Sequence, residues 1–300
     1  MDFVSKVNSL YGAKCYSDFP LKDKTAFKSG GNCKYFIEIK SLRALQNALE
    51  MLGEENIPYY ILGGGSNLIV SDKGYSGAVI STLALNGVFV KEDKLFAMAG
   101  ARLPEIYRFA LENSLSGLEE LSSIPGTLGG AVYMNAGAFG RSFSDIIYSV
   151  ETISDGKIKK YYKGDCKFAY RKSIFQKNNE IILSASLDLK SGEKGDITAT
   201  KTEYDRLRRL SQPCGRTFGS VFKNPKGYSA AKLIEGANLK GVKVGGAKVS
   251  DKHANFIINE DGCTTKDALD LIKYIKRSVY NKYGITLKEE VKYLGNIYDT

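Results

Sequence analysis

Two glycine clusters are the residues whose spacing suits chemistry. Gly63, Gly64 and Gly65 run straight into Ser66 and Asn67. The second cluster lies in GLEELSSIPGTLGGAVYMNAGAFG, residues 117–140, with Gly117, Gly126, Gly129, Gly130, Gly137 and Gly140, and Pro125 stiffening the approach. Residues without a Cβ let backbone N–H groups approach something outside the chain, often a phosphate. Three glycines followed by Ser and Asn make a nest of donors with two short polar side chains beside it. The longer stretch is poor helix or strand material by its glycine content. Ala131, Val132, Tyr133 and Met134 nevertheless make its centre apolar, unlike a linker. The bland alternative for both clusters is a Gly-rich turn between core segments.

The elements that must position these loops follow from periodicity. Residues 34–39 read as a strand, Ser41 as the cap of a helix with Leu42, Leu45, Leu49 and Leu52 on one face, and residues 58–62 as a second strand entering the first glycine cluster. This invites a Rossmann reading, which fails. The loop is not GxGxxG, and Leu68-Ile69-Val70 after it is strand-like rather than helical. No GxxxxGK[ST] phosphate loop is present either. Residues 78–82 and 88–100 read as strands, the latter a hairpin with Glu92-Asp93 at its tip, and residues 103–113 as a helix. Strands are expected at 146–153, 157–162 and 181–189. A polar boundary at 191–196 then precedes a charged helix over 198–211, stopped by Pro213. Ser229 is placed to cap a helix over 230–235, residues 241–246 form a Gly-containing connection, and Thr264 with Asp267 opens a long helix closed by Gly284. A last strand over 285–294 puts Ile285, Leu287, Val291 and Tyr293 on one face and Glu290 with Lys292 on the other, with Glu289 out of place on the apolar side.

Composition narrows the function classes. A 300-residue chain with 43% hydrophobic and 25% charged residues has room for two or three cores of ordinary globular type. No apolar run approaches the ~20 residues needed to span a bilayer, and the N-terminus lacks the pattern of a secretory signal, so the cytoplasm is expected. Five scattered cysteines without CxxC spacing, and a single histidine, His253, argue against zinc, iron–sulfur, a disulfide framework and an obvious Ser–His–Asp triad. No metal is expected. The net charge of +10 suits an anionic ligand. The basic residues are dispersed, only Arg206, Arg208 and Arg209 group tightly, and no nucleic-acid-binding signature accompanies them. A nucleotide-sized anion fits this better than nucleic acid.

Taken together, the motifs resemble the UDP-N-acetylenolpyruvoylglucosamine reductases (UDP-N-acetylmuramate dehydrogenases) of bacterial cell-wall synthesis. The matching segments are LGGGSNL at 62–68, IPGTLGG at 124–130, MNAGAFG at 134–140, YRKS at 170–173, GSVFKNP at 219–225, AKLIE at 231–235, LKG at 239–241, SDKHANF at 250–256 and Glu290-Val291. Each glycine motif alone is weak, but together and in order they are highly specific.

The resemblance implies an α+β architecture: a vanillyl-alcohol-oxidase-type FAD-binding fold of two α/β subdomains, residues 1–80 and 81–195, and a C-terminal α+β substrate-binding domain, residues 196–300, with the last strand free to return to the first subdomain. It implies non-covalent FAD held by Gly63, Gly64, Gly65, Ser66, Asn67, Ile124, Pro125, Gly126, Thr127, Gly129, Gly130 and Ala131. NADPH is the co-substrate. The implied reaction reduces UDP-N-acetylglucosamine enolpyruvate to UDP-N-acetylmuramate, by hydride transfer from reduced FAD to C3 and protonation at C2. Arg171 and Glu290 match the electrophilic pair and Ser220 the proton donor; Tyr170, Arg208, Asn224, His253 and Lys292 are the implied substrate contacts. The implied protein is a monomer with no nucleic-acid or membrane partner. Three features depart from the family pattern. Asn32-Cys33 replaces a common Pro-Ala, Lys292 stands where Arg is frequent, and the chain resembles the shorter class that lacks a Tyr-bearing insertion. The alternative is another FAD-dependent oxidoreductase of the same fold, acting on an alcohol or sugar.

Overall fold

A computed structural model describes residues 1–91, 93–260 and 262–297; Glu92, expected at a hairpin tip, lies outside them. The chain forms two compact units. The first comprises Met1–Ser17, Tyr35–Gly64 and Ala78–Leu207, the second Asp18–Lys34, Gly65–Gly77 and Arg208–Thr300.

The first unit is built on two hydrophobic cores. In one, the helix Leu42–Glu54 places Leu45, Ala48 and Leu52 against Ile37, Ile39 and Ile80. Ser41 caps it as expected, its Oγ accepting from the Ala44 amide at 3.2 Å, which stabilises a helix by about 1 kcal/mol. The adjoining sheet orders the strands Ala13–Pro20, Asn32–Ile39, Tyr75–Ser81 and Tyr59–Leu62. Tyr59–Leu62 pairs parallel with Tyr75–Ser81, Leu62 opposite Ser81, and delivers the chain into Gly63. The other core lies under a five-stranded antiparallel sheet in the order Lys157–Tyr162, Ile147–Ser154, Ile181–Leu187, Lys94–Met98, Val88–Lys91. The helix Leu103–Glu112 buries Leu103, Ile106 and Ala110 there, the face its spacing predicts.

Two expectations for this unit are corrected. The helix expected over 198–211 starts earlier, at Lys194, and Ile197 is its buried residue. The glycine-rich stretch, expected to be neither helix nor strand, contains the helix Leu128–Met134. Two backbones meet there: a Cβ on Gly129 would stand 3.0 Å from the Ala99 Cβ and 3.2 Å from its carbonyl oxygen. The glycine thus admits the helix to the sheet, and packing overrides its low helix propensity.

The second unit has one core, in which Phe27, Ile69, Phe218 and Phe222 meet Ile234, Val249, Ile257, Leu271 and Ile272. The long helix Thr265–Tyr283 opens on the predicted capping box. Thr264 Oγ1 accepts from the Asp267 amide at 3.1 Å, Asp267 Oδ2 accepts from the Thr264 amide at 3.0 Å, and Gly284 ends the helix at φ +67°. The connection expected at 241–246 is part of a small sheet, Lys243–Val244, Ala247–Val249 and Ile257–Asn259.

The last strand is shorter than expected. Only Lys292–Leu294 is regular, pairing parallel with Leu68–Val70. Upstream, the Lys223 amide donates to Lys288 O and the Glu290 amide to Val221 O, each at 2.8 Å. The segment therefore changes partner near Val291, and one ladder cannot run through. Glu289, out of place in the simple alternation, is satisfied by Lys276 Nζ at 2.7 Å and the Tyr293 hydroxyl at 2.9 Å. Among the described residues, no helix is long and apolar enough to cross a membrane.

Candidate active site

In the first unit the two glycine clusters meet. A Cβ on Gly63 would stand 2.5 Å from Thr127 Oγ1, and one on Gly64 would stand 2.9 Å from the Gly126 Cα. Residues 63–64 and 126–127 therefore form one surface that only glycines allow. Thr127 is buried and its Oγ1 has no hydrogen-bond partner. A buried hydroxyl left unsatisfied costs about 1–3 kcal/mol, so the join of the two loops carries one unmet polar atom that a bound group could satisfy. Gly130 is exposed on the same side, Thr127 Oγ1 being the nearest atom to its Cβ position at 3.8 Å. These features fit a flat cofactor laid against the loops. One detail differs from a simple N–H nest. The amides of Leu128 and Gly129 donate to Ala101 O and Ala99 O, both at 2.9 Å, so these first-turn donors are already used in anchoring the helix.

Arg171 sits in the same unit, at φ +54°. Such a backbone costs a non-glycine residue about 1–3 kcal/mol and persists only where neighbours enforce it. Here the turn is tied to the carboxyl end of the helix Leu128–Met134, whose terminal carbonyls lack helical partners. Ser173 Oγ donates to Tyr133 O at 2.7 Å, and Asn135 Nδ2 donates to Ala169 O at 3.0 Å. Gln176 Nε2 donates to Tyr133 O at 2.8 Å and to Arg171 O at 3.2 Å. Asn135 itself ends the helix at φ +42°, its Oδ1 accepting from the Ser144 amide at 2.9 Å. The Arg171 guanidinium donates to Gly137 O at 2.9 Å and lies 5.3 Å from the centroid of the half-exposed Tyr170 ring. A guanidinium held this way presents planar donors to a carboxylate.

The second unit gathers Ser220, Glu290, Lys292 and Asn67. Asn255 holds the extended segment after Ser220 from both sides: Val221 N donates to its carbonyl at 2.9 Å, Phe222 N to its Oδ1 at 3.0 Å, and its Nδ2 to Phe222 O at 2.8 Å. The Glu290 amide bond to Val221 O then brings Glu290 beside the residue that follows Ser220. Asn67 clamps the neighbouring edge, its Nδ2 reaching Glu290 O at 3.4 Å and its carbonyl taking the Lys292 amide at 3.1 Å. Burial and the Lys223 charge pull the Lys292 ammonium below its usual range, with Glu290 opposing them. The outcome is a half-buried carboxyl group and a half-buried ammonium along one edge. Gly65 is in this unit at φ +62°, and Ser66 follows it.

The other expected contacts have visible local duties. Asn224 Oδ1 accepts from the Ala230 amide at 2.9 Å, supporting the start of the helix Ala230–Gly236. Arg208 Nη1 donates to Gln212 Oε1 at 2.9 Å. His253 Nδ1 accepts from the Asn255 amide at 3.3 Å, its ring meets Phe256 edge-on at 4.8 Å, and burial lowers its pKa. Sequence reasoning left Asn135, Gln176 and Asn255 without roles. Asn135 and Asn255 stand inside matched motifs, which was a usable signal. Gln176 lies outside them, and only the folded turn reveals it.

A family model described as the UDP-N-acetylenolpyruvoylglucosamine reductase C-terminal domain matches residues 210–294, and one described as an FAD binding domain matches residues 33–161. The chain is 43% identical over 284 residues to the UDP-N-acetylenolpyruvoylglucosamine reductase of Caldanaerobacter subterraneus subsp. tengcongensis, covering 94% of both proteins. The chain belongs to this reductase family. The enzyme of the same name from Clostridioides difficile is 39% identical, over 98% of this chain and 97% of its own length. The crystal structure of the Thermus caldophilus reductase superposes with a TM-score of 0.81 at 34% identity, covering 94% of this chain and 99% of that one. The FAD-binding fold and the reductase C-terminal domain expected from the motifs are therefore both present.

Proposed function

We propose that this chain uses NADPH to reduce UDP-N-acetylglucosamine enolpyruvate to UDP-N-acetylmuramate in peptidoglycan precursor synthesis. The observation that carries this reading is family membership over nearly the whole chain. Residues 1–195 serve the flavin and residues 196–300 the substrate. Gly63, Gly64, Gly65, Ser66, Asn67, Ile124, Pro125, Gly126, Thr127, Gly129, Gly130 and Ala131 would hold FAD, with Thr127 Oγ1 as a polar contact. When bound, FAD would supply the two-electron chemistry that links NADPH to C3 of the enolpyruvyl group.

The protein's own part is electrostatic and protolytic. Hydride addition at C3 leaves negative charge at C2 that spreads into the adjacent carboxylate. Arg171, with Glu290 donating a hydrogen bond from its protonated carboxyl, is assigned to polarise that carboxylate and hold the dianion. Ser220 donates its hydroxyl proton to C2, completing the C–H bond, and the resulting alkoxide is stabilised by nearby positive charge before solvent reprotonates it. Lys292 and Lys223 are the cations whose charges are felt beside Glu290. Asn224, Arg208, Tyr170, His253 and Lys292 are assigned to the remaining substrate contacts. The working protein is assigned as a cytoplasmic monomer.

The test is anaerobic. Enzyme reduced by one equivalent of NADPH should regain its oxidised flavin spectrum on addition of UDP-N-acetylglucosamine enolpyruvate. A reduced flavin that ignores this compound and reoxidises only with another acceptor would overturn the assignment.

A further inference from the structure

We infer that Gln176 is a positioning residue for Arg171; this rests on the catalytic reading of Arg171 above. The Gln176 side chain stands where two carbonyl oxygens converge, Tyr133 O at 2.8 Å and Arg171 O at 3.2 Å, with the Met134 sulfur at 3.8 Å. Both oxygens are acceptors, so only the amide NH2 can face them, and this fixes the orientation of the group. One donor group therefore links the last turn of the helix Leu128–Met134 to the backbone of Arg171 itself.

The link matters because Arg171 occupies the left-handed region at φ +54°. Relaxing to an ordinary backbone would swing its side chain away from Gly137 O, the acceptor that orients the guanidinium at 2.9 Å. Ser173 and Asn135 pin the flanks of the turn at Tyr133 O and Ala169 O. Gln176 reaches further into the turn, to the Arg171 carbonyl itself. Gly137 contributes from the other side. A Cβ there would stand 3.2 Å from Arg171 Nη1. The guanidinium is thus held between a glycine and a glutamine-locked backbone. The requirement on position 176 is a hydrogen-bond donor of this reach rather than bulk or polarity as such.

Three substitutions separate this role from general structural support. Gln176→Met keeps volume without donors, Gln176→Glu keeps shape but turns acceptors toward two carbonyls, and Gln176→Lys restores a donor. The two half-reactions are followed by anaerobic stopped flow, with the melting temperature of each variant beside them. Gln176→Met and Gln176→Glu should slow reoxidation by UDP-N-acetylglucosamine enolpyruvate by about 10–100-fold, the usual penalty for a misplaced catalytic group. NADPH-driven flavin reduction should stay within about twofold, and Gln176→Lys should recover most of the reoxidation rate. In an Arg171→Ala background the Gln176→Met effect on reoxidation should disappear, since a positioning residue has nothing left to position. Full reoxidation rates in Gln176→Met, equal losses in both half-reactions, or an undiminished Gln176→Met effect without Arg171 would each overturn the inference. Failure of the unmutated enzyme to be reoxidised by this substrate would instead overturn the functional reading beneath it.

Discussion

Gly63 faces Thr127 so closely that a methyl group on the glycine would stand 2.5 Å from the threonine hydroxyl oxygen. That oxygen is buried and unpartnered, so the protein alone leaves a polar atom unsatisfied where the two glycine loops join. This arrangement makes sense as half of a hydrogen bond whose other half arrives with the cofactor.

Thr127→Ala should therefore weaken FAD binding by about 5–10-fold, the worth of one net hydrogen bond. The melting temperature of the flavin-free protein should be unchanged or slightly raised, because an unsatisfied buried hydroxyl has been removed. Titration of apoprotein with FAD, beside thermal melts with and without FAD, checks both signs. Gly63→Ala should also lower FAD affinity, through steric displacement of Thr127, and the double variant Gly63→Ala/Thr127→Ala should lose less than the sum of the two.

The catalytic assignments predict a split between half-reactions. Ser220→Ala should leave flavin reduction by NADPH close to normal while slowing reoxidation by the enolpyruvyl substrate by about 100-fold or more, as expected for loss of a general acid. Equal slowing of both steps would remove Ser220 from that role. Arg171→Ala should behave similarly. Arg171→Lys should recover only part of the rate, because a single ammonium lacks the planar fork of donors.

His253 is the one histidine of the chain, which makes its stability contribution separable. Burial lowers its folded-state pKa below the usual 6.5. The unfolded chain then binds a proton more readily, so stability is fully present above the unfolded value and declines as pH falls from there through the folded value. Melts between pH 7.5 and about 5, a range set by the ordinary histidine pKa, should show His253→Gln flattening this part of the profile. An identical slope in the variant would show that the ring does not contribute.

Lys292 predicts a feature of the alkaline limb. Its ammonium is held below the ordinary 10.5 by burial and by Lys223, so the side chain loses its charge earlier than a surface lysine as pH rises. If that charge serves the substrate, kcat/KM should fall on this limb, and Lys292→Arg should move the fall to higher pH because a guanidinium stays protonated. Unchanged profiles in Lys292→Arg and Lys292→Met would detach the residue from substrate binding.

Much of the local structure was legible in the sequence, because its causes lie within a few residues. Ser41 and Thr264 are caps whose partners are three positions away, and Gly284 ends a helix at a backbone angle glycine tolerates. The buried faces of the helices Leu42–Glu54 and Leu103–Glu112 follow from apolar spacing alone. The errors came where a distant partner decided the outcome. The glycines of TLGG, poor helix formers by themselves, became helical where the chain packs against Ala99, a contact close enough to crowd any side chain at position 129. The last strand broke because residues 288–290 and 292–294 pair with different segments.

By itself, then, the sequence determined which side chains are available for flavin binding and hydride chemistry, since the motifs carry residue types in order and need no coordinates. Tertiary structure decided how those side chains are held. Gly63 meets Thr127, Asn67 binds the carbonyl of Glu290 at a separation of 223 residues, and Gln176 locks the left-handed turn of Arg171. None of these pairings has a local signature. Each depends on which apolar faces bury together elsewhere in the chain, and that choice brings distant backbone donors and acceptors within hydrogen-bonding reach.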